Sequence, residues 1–301
     1  MHRVGSLALI GLLACAVPAS GQDDDAPPAG EGFRFGDWQD WVTVESDDAP
    51  EPPLLRLQVG LLASIDVKTE VKADKANLIG TRLNDLETDQ GLASSGLAPW
   101  VELSLGGAIR AGADMTWLLR FGDFTRQTQA VVFDGRQLAD PGEQLKSQTS
   151  YFDVGAFGEW DFLYGKNYRI GVVGGARYLR LDVELTGLRQ REPILESAKI
   201  RGELLSPFFG GLVELSPFPY LSVCTQIQFM NWSWQQIGLK KTRYVRFRLG
   251  FTVRPTSWLG FGAEYWFEVV KAESHAQDRS DSQFRGGLAL NSVLLHVELA
   301  F

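Results

Sequence analysis

From Leu54 onward apolar and polar residues alternate, the period of a strand whose two faces meet different surroundings. The stretch RYVRFRLGFTVR, Arg243–Arg254, places Val245, Phe247, Leu249, Phe251 and Val253 on one face and Tyr244, Arg246, Arg248, Gly250 and Thr252 on the other. A helix of these residues would carry arginine all round, so this stretch reads as a strand. The same period returns in Leu55–Val67, Val101–Gly107, Met115–Phe121, Phe152–Phe162, Ile170–Tyr178, Leu205–Leu215, Leu221–Phe229, Leu259–Val269 and Val293–Phe301, giving ten strands. In the first of these, Leu55, Leu57, Val59, Leu61, Ala63, Ile65 and Val67 are expected to share one face.

The connections alternate in length. Short turns carrying Gly, Pro, Asn or Ser are expected near Arg110–Ala113, Gly165–Asn167, Ser216–Pro219 and Arg254–Ser257. The connections between them, at about 72–98, 127–148, 188–198, 235–242 and 273–283, are longer and more polar. Short turns at one end and long loops at the other, with an even strand number, predict an all-β protein: a closed antiparallel up-and-down transmembrane β-barrel. The strands are long enough to cross a bilayer at a tilt, which takes about 9–11 residues.

Composition narrows the functions open to such a chain. Of the formal charge of -8, the acidic part is concentrated in residues 22–53, where ten acids face the single base Arg34. The remaining body is charge-balanced, which gives no support to nucleic-acid binding. Cys15 and Cys224 are the only cysteines, too few for a disulfide framework or a zinc cluster.

The start of the chain, a short basic head, the apolar run Val4–Leu13 and small residues up to Gly21, predicts a signal peptide over 1–21. The rival processing site is Leu12-Leu13-Ala14-Cys15, a loose lipobox that would make Cys15 an acylated first residue. Residues 22–53 form an acidic, Pro-rich leader on the periplasmic side, and its FRFGDWQDW stretch has the aromatics to dock at a barrel mouth. The barrel itself spans 54–301.

Charges on the polar strand faces predict a filled lumen. If hairpin register follows the tight turns, Glu102 faces Arg120, Asp153 faces Arg177, and Arg248 faces Glu264 with Arg246 diagonal to Glu264 and Glu268. His296 and Glu298 share the lumen face of the last strand. Trp100, Trp117, Trp160, Tyr164, Tyr168, Tyr220, Trp258 and Tyr265 lie near strand ends, where interfacial girdles belong.

With its signal-like head, the hairpins ELSPFPYLSV and VRPTSWLGFGAEYWF, and a last strand ending in Phe301, the chain resembles the small, 8–12-stranded bacterial outer-membrane β-barrel proteins. The resemblance implies location in the outer membrane, outer-membrane lipids as surroundings, and insertion by a barrel-assembly machinery. That machinery reads an alternating last strand with a terminal aromatic, which Leu295, Val297, Leu299 and Phe301 match. A Gly common in that signal is missing here, the nearest being Gly287.

Candidate chemistry is sparse. Hydrolytic barrels of the omptin kind use Asp and His at the outer rim, and lipid-modifying ones use Ser and His. Here only His275, in AESHAQDRSD, and His296 lie beyond the signal-like head, and neither forms a nucleophile–base–orienter set of recognisable spacing. GVVGGARY is a barrel strand and not a phosphate loop. No catalytic, cofactor or metal residue is assigned. The expected role is non-enzymatic, structural or surface-binding, with an external ligand taken through the loops. A small solute-specific channel and a rim hydrolase are the alternatives.

Overall fold

The computed structural model describes residues 53–75, 84–133, 136–165, 167–188, 195–234, 239–275 and 282–301. The expected signal peptide and nearly all of the acidic leader lie outside the described residues. Ten long strands run in order: β1 Leu55–Lys75, β2 Gly96–Gly106, β3 Ile109–Phe121, β4 Gln144–Tyr164, β5 Tyr168–Leu188, β6 Leu195–Phe218, β7 Leu221–Trp234, β8 Leu239–Val253, β9 Leu259–His275 and β10 Ser282–Ala300. Each pairs antiparallel with the next, and β10 also pairs with β1 from Arg56↔Ala300 to Lys75↔Ser282, which closes the barrel. The final residue takes part: the Leu55 N–H donates to the Phe301 carbonyl at 2.9 Å and the Phe301 N–H to the Leu55 carbonyl at 2.8 Å.

Several strands run further than the lipid-type pattern shows, because the ladder continues where the outward face turns polar and the inward face apolar. In β5 this adds Leu179–Leu188, and in β6 it adds Leu195–Leu204. The long connections after β5, β7 and β9 shorten accordingly. One turn also moves. The β2–β3 hairpin turns at Gly107–Ala108, and not at Arg110–Ala113. Gly106 makes this possible with φ +115, a conformation that L side chains rarely adopt.

Polarity is inverted relative to a water-soluble barrel. Leu61, Leu97, Ile109, Trp117, Trp160, Phe209, Ile227, Phe251, Phe261 and Leu295 are exposed on the outside, while Asp153, Arg177, Arg246, Glu268 and Glu298 are buried inside. One face switch was missed. The β1–β10 register shifts between Ser64 and Asp66, so beyond this β-bulge the odd residues turn inward and Val67, expected outside, is fully buried.

At the end away from the tight turns, segments between strands fill the mouth. The short helix Leu86–Gln90 and the hairpin formed by Val131–Phe133 and Arg136–Ala139 bring Leu86, Val131 and Leu138 against Val71, Leu145, Val183, Leu185 and Ala198. Below this plug a second apolar layer includes Leu118, Leu179, Phe208, Met230, Tyr244 and Leu290.

Candidate functional site

The lumen below the apolar layers is built from charged side chains that alternation aims inward. Nearest the tight turns, Arg254 Nε meets Glu298 Oε1 at 2.7 Å, and Gln58 Nε2 donates to Glu298 Oε2 at 2.7 Å. On the opposite wall Arg169 bridges Asp161, Glu159 and Glu214 at 3.0, 3.2 and 3.1 Å. Arg110 joins Glu159 and lies 3.1 Å from Asp161. These groups surround a small polar chamber of about 60 Å³, which opens toward a vestibule of about 540 Å³ edged by Tyr164, Tyr168, Trp258 and Phe301. Space of the first size holds a few waters, at about 10–15 Å³ each.

The next layer centres on Arg248, which contacts Glu102 and Glu264 at 2.9 Å each and lies 4.8 Å above the Trp266 ring. His296 sits beside it with Nδ1 3.8 Å from Glu264 Oε1, and neither ring nitrogen has a hydrogen-bond partner among the described residues. Gly262 makes room for this ring, because a Cβ there would collide with it.

Above lies the most buried layer. Arg177 binds Asp114 through both terminal nitrogens at 2.8 and 2.9 Å and Asp153 at 2.7 Å. Arg246 donates to Glu268 at 2.6 Å and to Asp114 at 3.2 Å, and also binds Asp153. The Tyr151 hydroxyl donates to Glu268. Arg177 and Arg246 are each 1% exposed, so water can satisfy almost none of this charge, and protein partners must. Every cation in these layers is an arginine among the described residues, as suits a planar fork that holds two or three carboxylates at once.

The expected residues therefore all face the lumen, but not all in the expected pairs. Glu102 stands opposite Asp114, not Arg120, because the hairpin turns earlier than the sequence suggested. Arg120 lies further up and contacts Glu87 of the short helix at 2.5 Å. Asp153 and Arg177 do touch, although the residue directly across from Asp153 is Leu179. Arg246 is directly across from Glu268, and Arg248 reaches Glu264 diagonally. Trp100, expected in a girdle, is 1% exposed in the lumen at 5.8 Å from Trp266. Of the other girdle tryptophans, Trp117 and Trp160 are exposed on the outside, while Trp258 is exposed at the rim of the vestibule.

Asp114, Arg110, Glu159, Asp161, Arg169 and Glu214 were missed. Parity was the signal that could have found them, since each continues the inward face of its strand. Their partners could not be read, because Arg246 and Asp114 meet across the lumen from strands 132 residues apart. His275 ends β9, and its side chain lies outside the described residues. Among the described residues no group of His, Cys, Asp and Glu is arranged to hold a metal ion.

No family model and no curated protein matches the sequence. Solved structures do match in fold. The outer membrane protease OmpT from Escherichia coli is 9% identical with a TM-score of 0.50, the match covering 85% of this chain and all of that one. The translocator domain of the autotransporter NalP from Neisseria meningitidis is 12% identical over 88% of this chain and 94% of its own, at a TM-score of 0.41. The Pseudomonas putida toluene transporter TodX is 8% identical over 84% and 90%, at 0.34. These similarities are of fold: the chain is a closed ten-stranded antiparallel barrel of the outer-membrane β-barrel kind.

Proposed function

We propose that the protein is a non-enzymatic resident of the bacterial outer membrane, with its tight turns in the periplasm, its plugged end outside, and a lumen closed to solutes. One observation carries this: the outside is apolar where the inside is charged, and the charged inside is fully cross-linked by Arg177, Arg246 and Arg248 beneath an apolar plug. An apolar exterior of this extent suits lipid. Multidentate arginines spanning the lumen suit a seal, since a path for ions would have to break buried ion pairs.

Export by a signal peptide over 1–21, insertion by assembly machinery that reads Phe301 and the residues before it, and a surface role through the external loops complete the proposal. It is tested on purified protein by gel migration with and without boiling, and by conductance in planar bilayers. A boiling-dependent shift with no steady single-channel conductance is expected. A large, salt-dependent conductance would favour a channel and overturn the sealed lumen.

A further inference from the structure

On the outer wall between β7 and β9, one cross-strand row breaks the usual charge pairing. Asn231, Arg243 and Lys271 stand in direct register, Asn231 opposite Arg243 and Arg243 opposite Lys271, and all three are exposed on the outside. Like charges directly opposite each other destabilise a sheet. Among the described residues neither Arg243 nor Lys271 has a carboxylate within ion-pair distance to offset this, whereas on β5 and β6 Asp182 holds Arg180 and Arg201 at 2.7 and 2.8 Å. The next strand offers Gly287 opposite Lys271, and Glu70 of β1 lies beyond it without pairing with either cation.

The height of the row matters as much as its charge. Directly below it on the same wall come Val245 opposite Val269, Phe247 opposite Phe267, and Leu249 opposite Tyr265. Arg243 and Lys271 thus form the first charged row above an apolar wall, the level of lipid headgroups if that wall lies in a bilayer. Outward charges cost little there and attract anionic headgroups.

We propose that the Asn231–Arg243–Lys271 row binds the phosphate of an outer-leaflet lipid headgroup, with the acyl chains lying on the Val245–Phe267 wall. This rests on the membrane placement proposed above. The phosphate oxygens accept from the guanidinium and the ammonium, and the Asn231 amide supplies a further donor.

The full-length protein is reconstituted into phosphatidylcholine vesicles with or without phosphatidylglycerol, and retained lipid is counted by native mass spectrometry. Phosphatidylglycerol should be retained about tenfold over its share of the bilayer. In Arg243→Gln/Lys271→Gln that enrichment should vanish, in Lys271→Gln alone it should fall part of the way, and in Arg180→Gln/Arg201→Gln it should persist. Enrichment unchanged in the Arg243→Gln/Lys271→Gln protein overturns the proposal. So does release of the enriched lipid by millimolar inorganic phosphate, which would assign the row to free phosphate. Vesicle flotation and the boiling shift are recorded on every sample. Protein that does not float refutes the membrane placement itself, whereas protein that floats without enrichment refutes only the lipid site.

Discussion

Arg246 holds carboxylates from three different strands, Glu268 on β9, Asp114 on β3 and Asp153 on β4. Removing it strands buried negative charge, so Arg246→Met should cost about 3–5 kcal/mol. Arg201→Met removes a half-exposed, solvent-screened ion pair and should shift stability far less. Urea midpoints of the boiling-sensitive band measure both, and equal shifts would mean the lumen network contributes no more than surface charge. At this scale the sequence is informative about direction and poor on partners. Arg246, Arg248, Glu264 and Glu298 lie on the inward parity of their strands. Hairpin arithmetic could not see that Arg246 and Asp114 meet across the barrel, and it failed for Glu102 because one glycine moved one turn.

Among the elements, the seam between β6 and β7 stands apart. The neighbouring strands pair almost throughout, yet the β6–β7 ladder ends at Phe209↔Phe229 although β7 runs on to Trp234 and β6 to Leu195. Pro207, which has no N–H to give, sits where pairing stops. The two strands are joined there by side chains, as where Ser206 Oγ donates to Met230 Sδ at 2.7 Å. Successive amides of a strand point to opposite edges, and whichever of the Asn231 and Trp232 amides faces β6 should exchange with deuterium well before those of Gly210–Glu214 in the intact ladder. Equal protection on both sides of Phe209 would show the seam closed in solution. The sequence marks Pro207 as a site of interruption, and the structure shows that the interruption affects one edge of the strand and leaves its pairing with β5 whole.

For the whole molecule, closure depends on the last strand finding the first. The Phe301 ring is exposed on the outside while its backbone pairs with Leu55. Deleting Phe301 should leave the closed barrel nearly as stable once formed, but slow its appearance during membrane insertion, as followed by the boiling shift over time. Normal assembly kinetics without Phe301 would remove its role as an insertion signal. Strand number, inversion of polarity and closure were legible because a period of two is imposed along every strand by two unlike surroundings. The plug was not, because Leu86, Val131 and Leu138 lie in connections that carry no such period. Their position imposes an order of events. Leu138 packs against Val183, Leu185 and Ala198, and its backbone leaves no space for a side chain at Gly187. The hairpin that carries it precedes β5 and β6 in the chain, yet its packing surface is supplied by them. The mouth therefore cannot shut before those strands are in place, whatever the order in which the rest of the wall is laid down.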